Sequence, residues 1–362
     1  IFGYASKISV KQGENIDFHV TADGASEADA KLVRLIHGDQ HPTGPGFIEK
    51  EIENKINGKW KVEKQFTQLG SFLKVKDPDC KLATDESFTI FTYVFPTTPK
   101  TGERQKIIGR FDVRTNEGYC IGISPEGYLE FGVGDGKEID YLASELPIVK
   151  KVWYFIAATF NPKTGEATLY QEGVLNRYNS LLGKVVPYDY RSHVKTTFRF
   201  KQKNRKDVPF VMSGGYDFHE KRGHFIADQY AGKIDRTGIC SKVLSKEELD
   251  KICSGEMPEK ESILAYWDTS KGYTENGIGN TVFDVGPHKL DAEGFNHPVR
   301  GLTGWNWNGK NDSFRIAPNE YGGIEFHPDA LTDSNWKVTN SMKIPENLKS
   351  GVYAIRLRSG PG

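Results

Sequence analysis

The sequence runs to 362 residues, enough for two domains or for one large sandwich with additions. Its 48 Lys and Arg balance 48 Asp and Glu, so no overall field draws it to nucleic acid or to an anionic membrane. No apolar run is long enough to span a bilayer, and the opening Ile1-Phe2-Gly3-Tyr4 has no charged segment followed by an apolar one, so neither a membrane helix nor a signal peptide is predicted.

Cytoplasm is the expected compartment, with the Asn-x-Ser sequon at Asn311 pointing the other way. The missing initiator Met and the end at Gly362 fit a fragment or a processed chain. Four scattered cysteines, Cys80, Cys120, Cys240 and Cys253, share no C-x-x-C spacing and read as inert thiols, not disulfides.

Residues 1–66 read as strands and loops. Ile16, Phe18 and Val20 alternate with polar neighbours, the period-two signature of a half-buried strand, and Leu32, Val33, Leu35 and Ile36 form another. His37 to Phe47 is a loop by composition. Its H-x-x-x-H spacing suits a metal only on a helix, which Gly38, Pro42 and Pro45 oppose.

From Gly70 to about Trp307 strands recur at short intervals. Ser87 to Phe95 alternates strictly, and Gln105 to Phe111 follows. Tyr119–Ser124 and Tyr128–Val133 flank the turn Pro125-Glu126-Gly127. Trp153–Phe160 and Ala167–Gln171 flank Asn161 to Gly165. Serial antiparallel hairpins predict a jelly-roll sandwich and not a βαβ sheet. One short helix is predicted, capped by Ser245 ahead of Lys246-Glu247-Glu248-Leu249. The basic residues Lys184, Arg191, Lys195, Arg199, Lys201, Lys203, Arg205 and Lys206 read as an exposed strand face or subunit contact. No aromatic stacking platform lies beside them.

Residues 308–362 form a tail in which Gly323–His327 alternates, Trp336-Lys337-Val338 reads as a strand, and a turn at Ile344–Ser350 leads to a strand through Leu357. That last strand is of the kind that ends an immunoglobulin-like sandwich, and residues 1–66 are of the kind that opens one. The prediction is all-β: a jelly roll over 67–307, inserted in or flanked by a smaller immunoglobulin-like sandwich formed from 1–66 and 308–362.

No strong catalytic signature is present. Gly122-Ile123-Ser124-Pro125-Glu126-Gly127 has the wrong spacing for a nucleophile elbow. There is no P-loop, H-E-x-x-H or EF-hand loop, and no Glu-x-Asp-x-x-Glu of the kind jelly-roll glucanases carry on one strand. Gly132-Val133-Gly134-Asp135-Gly136 opens no helix and reads as a turn. The richest segment is Asn296 to Trp307, continuing to Asp312, Phe314, Arg315 and Tyr321. Trp305 and Trp307, one residue apart, are expected on one side of a strand. With Arg315, and with His327 farther on, they are the candidates for an interface or binding surface. The plainer reading places both Trp in the seam between the two sandwiches. No residue is assigned as catalytic or as a metal ligand.

Two resemblances follow from these residues. Trp153–Phe160 with Leu169–Gly173, and Gly232–Asp235 leading to Val243–Leu249, resemble the core hairpin and closing segment of laminin-G/concanavalin A-like domains. Over nearly the whole chain, Gly3-Tyr4, Ser9 to Glu14, Pro42 to Gly46, Asn296 to Arg300, Thr303 to Trp307, Tyr321 to Ile324 and Ser350 to Ala354 resemble the N-terminal region of the N,N-dimethylformamidase large subunit.

That family hydrolyses small formamides with one iron held by tyrosine and glutamate oxygens. The resemblance places the iron in a later domain, so no ligand carries over to any residue here. It implies that the chain is an accessory, non-catalytic region with scaffold and contact roles. The implied partners are a C-terminal catalytic domain of the same protein, a small subunit and a homo-oligomer. The alternative is a free-standing lectin-like module that binds carbohydrate or another ligand, which calls for a loop cluster of carboxylates or an aromatic-lined face. Asp217 and Asp235 are only isolated contributors to such a cluster.

Overall fold

The computed structural model describes residues 1–176, 178–179 and 191–360. The chain divides into two units, one made of Ile1–Thr67 with Asp333–Gly362 and the other of Gln68–Thr332.

In the larger unit two antiparallel sheets face each other. One runs in the order 139–147, 128–135, 117–123, 105–112, 211–212, 72–75, 292–295, 281–282. The other runs 192–197, 166–173, 154–161, 88–96, 232–240, 323–326, 299–302. Between them lies one core, including Phe88, Ile121, Phe131, Tyr154, Phe160 and Trp267, all essentially unexposed. Strands here are buried on both faces, as Phe88–Pro96 and Tyr154–Asn161 show. A second apolar cluster on the far side of the second sheet, including Phe91, Tyr93 and Phe155, is covered by the helix Lys246–Cys253 through Leu249 and Ile252. Ser245 caps that helix, its hydroxyl accepting from the Glu248 N–H while the Glu248 carboxylate accepts from the Ser245 N–H.

The smaller unit pairs strands from both chain ends. Phe2–Ala5 lies beside Asn15–Thr21, which pairs with Asn340–Lys343. In a second sheet Val352–Arg358 pairs with one edge of Glu27–Gly38, whose other edge takes Phe47–Glu51 and Gly58–Lys61. Its core includes Ile16, Val20, Leu32, Trp60, Met342 and Ile344.

Three sequence expectations are corrected. Residues 308–332 group with the larger unit, because Gly323–Phe326 pairs with Gly232–Ile234. Trp336–Val338 is not a strand. Its backbone is held by side chains, the Trp336 carbonyl by His19 Nδ1 at 2.7 Å and the Lys337 N–H by Gln65 at 2.7 Å. His37 and Gly38 end a strand and do not begin the loop, and His37 and His41 face different partners, the Gly46 carbonyl and the Thr43 hydroxyl. Of the basic stretch, Lys184 lies outside the described residues. Lys195, Arg199, Lys203 and Arg205 are paired with Glu166, Asp140, Glu117 and Asp112 respectively, and Ser192–Thr197 is an edge strand. All four cysteines are unbonded, Cys120 and Cys240 being buried.

Replacing Ser245 by Ala is expected to lower stability by about 1 kcal/mol, read as a shifted urea midpoint at unchanged slope. An unshifted midpoint would show that the helix does not depend on its cap.

Candidate functional site

Trp305 and Trp307 do not lie on a strand. They sit in a turn following Val299–Leu302, with the Trp307 N–H donating to the Gly304 carbonyl. Their rings therefore separate. Trp305 stacks on Tyr93 with centroids 4.2 Å apart and planes 4° from parallel, extending the apolar cluster under the helix. Trp307 meets Tyr178 edge-on at 5.5 Å and donates its Nε1–H to the Asn311 carbonyl. Both rings have these partners inside the larger unit. Arg315 is exposed beside Phe314, whose ring stacks on Tyr273 at 4.8 Å. His327 is also exposed, beyond the far end of Gly323–Phe326. The structure thus brings none of the four candidates into one constellation.

What organises the loop is Asp235, which the sequence reading named only as an isolated cation ligand. Its carboxylate is fully buried. It accepts from the Thr269 hydroxyl at 2.6 Å and from the Trp305 N–H at 3.4 Å, and it lies 3.7 Å from the Arg236 guanidinium. Gly304 and Gly322 flank it so closely that a Cβ on either would sit 2.3 or 2.4 Å from a carboxylate oxygen. Arg236 in turn donates to the Asn319 carbonyl, and Asn306 donates to the same oxygen. Nearby, the Arg300 guanidinium has no carboxylate partner among the described residues and donates to five carbonyls, those of Thr269, Lys271, Ile278, Gly279 and Thr281. Burial pushes its pKa down to about 10. These are loop-fastening contacts. Among the described residues Trp305 Nε1, Asn306 Oδ1 and Glu320 Oε2 are buried without a hydrogen-bond partner.

A second buried polar cluster lies on the first sheet and was missed, because its residues look like ordinary alternation. Lys106 faces Gly122, which faces Glu130. In the next row Gly109, Cys120, Gly132 and Tyr141 stand side by side. The glycines leave room for long side chains to lie flat: a Cβ at Gly132 would be 2.7 Å from the Tyr141 ring. Lys106 is 2% exposed and donates to the Tyr141 hydroxyl at 3.0 Å, while Arg104 donates to Glu130 at 2.8 Å and lies over the Tyr141 ring.

The hydrogen bond to the Tyr141 hydroxyl and the charge of Glu130 hold Lys106 protonated despite burial, and burial holds the Tyr141 phenol and Cys120 thiol neutral. A nucleophile or base at neutral pH needs the opposite shifts. Burial likewise pushes Cys240 up to about 11 and Cys253 up to about 12, the second aided by the charges of Glu172 and Asp250. Among the described residues no three His, Cys, Asp or Glu side chains converge as metal ligands. The neighbourhood of Tyr141 and Glu130 does not fit an iron ion, because Lys106 and Arg104 already occupy it with positive charge.

With the geometry in hand, comparisons with known proteins decide the family. Residues 70–250 match the model of the concanavalin A-like lectin/glucanases superfamily. The chain belongs to that superfamily. Residues 299–362 match a second model, described as N,N-dimethylformamidase beta subunit-like, C-terminal. Over 99% of its length the chain is related to the N,N-dimethylformamidase beta subunits of an Alcaligenes species and of Paracoccus aminophilus, 35% identical to each. It spans about half of either relative, 47%. Among solved structures, a protein from Bacteroides ovatus aligns with 81% of this chain and 91% of its own at 12% identity and a TM-score of 0.44. No helix among the described residues of this superfamily member is long and apolar enough to cross a membrane.

Two predictions follow from Asp235 and one from Lys106. Gly304→Ala or Gly322→Ala forces a methyl onto the carboxylate and is expected to cost on the order of 2–3 kcal/mol, measured by urea unfolding; tolerance of both would remove Asp235 as the fastening point. Burial raises the Asp235 pKa, and Arg236 beside it only partly offsets that. The folded state therefore holds this proton more tightly than the unfolded chain. The stability it contributes is full below the ordinary carboxylate pKa and falls as pH rises from about 4 through the raised value. Asp235→Asn should flatten that part of a stability–pH curve, and an unchanged curve would contradict the assignment. Lys106→Met removes the hydrogen bond to the Tyr141 hydroxyl while Glu130 keeps Arg104, and is expected to destabilise by about 2 kcal/mol, seen in the same measurement.

Proposed function

We propose that this chain is the accessory, non-catalytic region of a formamidase-like amidohydrolase acting on small formamides. In this reading it supplies scaffold and contacts to the catalytic part of the same protein, to a small subunit and to further copies. The observation that carries the reading is the even relationship to two N,N-dimethylformamidase beta subunits across 99% of the chain, which accounts for only 47% of their length. The pKa shifts of five groups are in keeping with it: Lys106 is held protonated, and Cys120, Tyr141, Cys240 and Cys253 are held neutral. Iron, in this reading, belongs to the part of the protein outside these residues, and no step of the reaction is assigned to a residue of this chain.

The motif Thr303 to Trp307 then has a scaffold role. Asp235 and Arg300 fix the loop, and Arg315 with the 70%-exposed Ile316 is carried at its surface as a contact point.

The test is hydrolysis of N,N-dimethylformamide and N-methylformamide, followed as formate release, by the full-length gene product with its co-purifying subunits and by the 362-residue chain. Activity confined to the full-length product is expected. Activity in the 362-residue chain would overturn the non-catalytic reading, and inactivity of the metal-loaded full-length product on every small amide would overturn the formamidase reading. Arg315→Glu is expected to leave folding unchanged and to weaken co-purification of the partner subunit or the oligomer; identical assembly would remove Arg315 from the contact surface.

A further inference from the structure

The smaller unit is a sandwich of two sheets with a free strand edge. Its first sheet holds Phe2–Ala5, Asn15–Thr21 and Asn340–Lys343; its second holds Val352–Arg358, Glu27–Gly38, Phe47–Glu51 and Gly58–Lys61. Among the described residues Val352–Arg358 pairs on one edge only, with Glu27–Gly38.

The side chains show the same vacancy. Tyr353, Ile355 and Leu357 are on the inward face, since Ile355 and Leu357 stand opposite the buried Leu32 and Ala30. Yet all three are only half-buried, whereas Leu32 and Ala30 are 2% and 0% exposed. The outward face is settled, with Arg356 paired to Glu49 and Glu51. So the strand is fixed in place while its core side is open. Beside it runs a groove of about 1140 Å³ lined by the opening segment (Phe2, Tyr4, Val10) and by Tyr353, Ile355 and Leu357.

We propose that an extended segment of this polypeptide, following Gly362 in the full-length protein, pairs antiparallel with the free edge of Val352–Arg358 and sets alternate apolar residues into the groove. Three observations favour this occupant over a separate molecule. Ser359-Gly360-Pro361-Gly362 is a turn-forming composition directly after the strand, which a hairpin return needs. The relatives carry about as much chain again as is aligned here. And residues 299–362 already match the model described as the C-terminal part of the dimethylformamidase beta subunit. The proposal rests on the reading that this chain is one region of a longer protein, and not on that protein's activity.

Amide hydrogen exchange on the full-length gene product, resolved to residues 352–358, tests it. The amides facing away from Glu27–Gly38 are expected to exchange roughly 100-fold or more slowly than in an unstructured chain, independently of protein concentration. Fast exchange of those amides, with Asn15–Thr21 still protected, would overturn the proposal. So would protection that disappears on dilution, which would assign the edge to a second copy. Because no amidase activity is read, a protected edge in an inactive protein counts against the formamidase reading alone, and an unprotected edge in an active one counts against the strand alone.

Discussion

A single buried carboxylate sets the conditions that the loops of the larger unit must meet. Asp235 sits in the strand Gly232–Cys240, which is central to the second sheet, and it is removed from water on every side. A buried charge or acid is tolerable only if its oxygens are bonded. The Thr269 hydroxyl and the Trp305 N–H meet that demand, and Arg236 adds a neighbouring cation. For the backbone to come near enough, residues 304 and 322 must lack side chains. The turn carrying Trp305 is drawn down onto Tyr93, and the approach to Gly323–Phe326 is fixed at the same point. One polar group thus dictates two glycines, one aromatic stack and the entry of one strand.

The same logic separates this chain's polar clusters from an active site. Catalytic groups are set apart by environments that favour the reactive protonation state. Here burial is the largest influence on the thiols and phenols and pushes them up, while the Tyr141 hydroxyl and the Glu130 charge keep Lys106 protonated. A lysine lying flat along glycine-cleared strands, donating to one tyrosine, is a means of filling a sheet face with a long side chain. Its cost in desolvation is offset by the groups around it.

Period-two alternation and turn chemistry made the sandwich architecture legible, because hairpins such as Tyr154–Asn161 with Glu166–Gly173 are local and each strand advertises its own faces. The helix was legible for the same reason, through Ser245 and Glu248. The candidate site was not. Trp305 and Trp307 look like two residues of a strand, but spacing of two is equally a turn when a buried acceptor captures the intervening backbone, and the Asp235 acceptor lies seventy residues away. Gly322 and Gly304 were quoted as motif residues without a cause, since the cause is a side chain that neither neighbours in sequence. Trp336–Val338 failed in the same way: its apolar alternation is real, but its hydrogen bonds go to Gln65 and His19 and not to a strand. Each failure is a long-range side-chain-to-backbone bond overriding a local period.

The connectivity also constrains how the molecule can form. The smaller unit depends on pairings such as Phe18 with Asn340 and Val33 with Ala354, each spanning the whole larger unit in sequence. Loop-closure entropy makes such contacts late ones. The larger unit contains its own strands and core between residues 68 and 332, so nothing in it waits for the chain ends, whereas the smaller unit lacks the strand beside Asn15–Thr21 and the strand beside Glu27–Gly38 until residues 340–358 arrive. Until then its core lacks Met342 and Ile344. An order of assembly in which the inserted unit folds first and the smaller sandwich is completed by the returning strands follows from the topology alone.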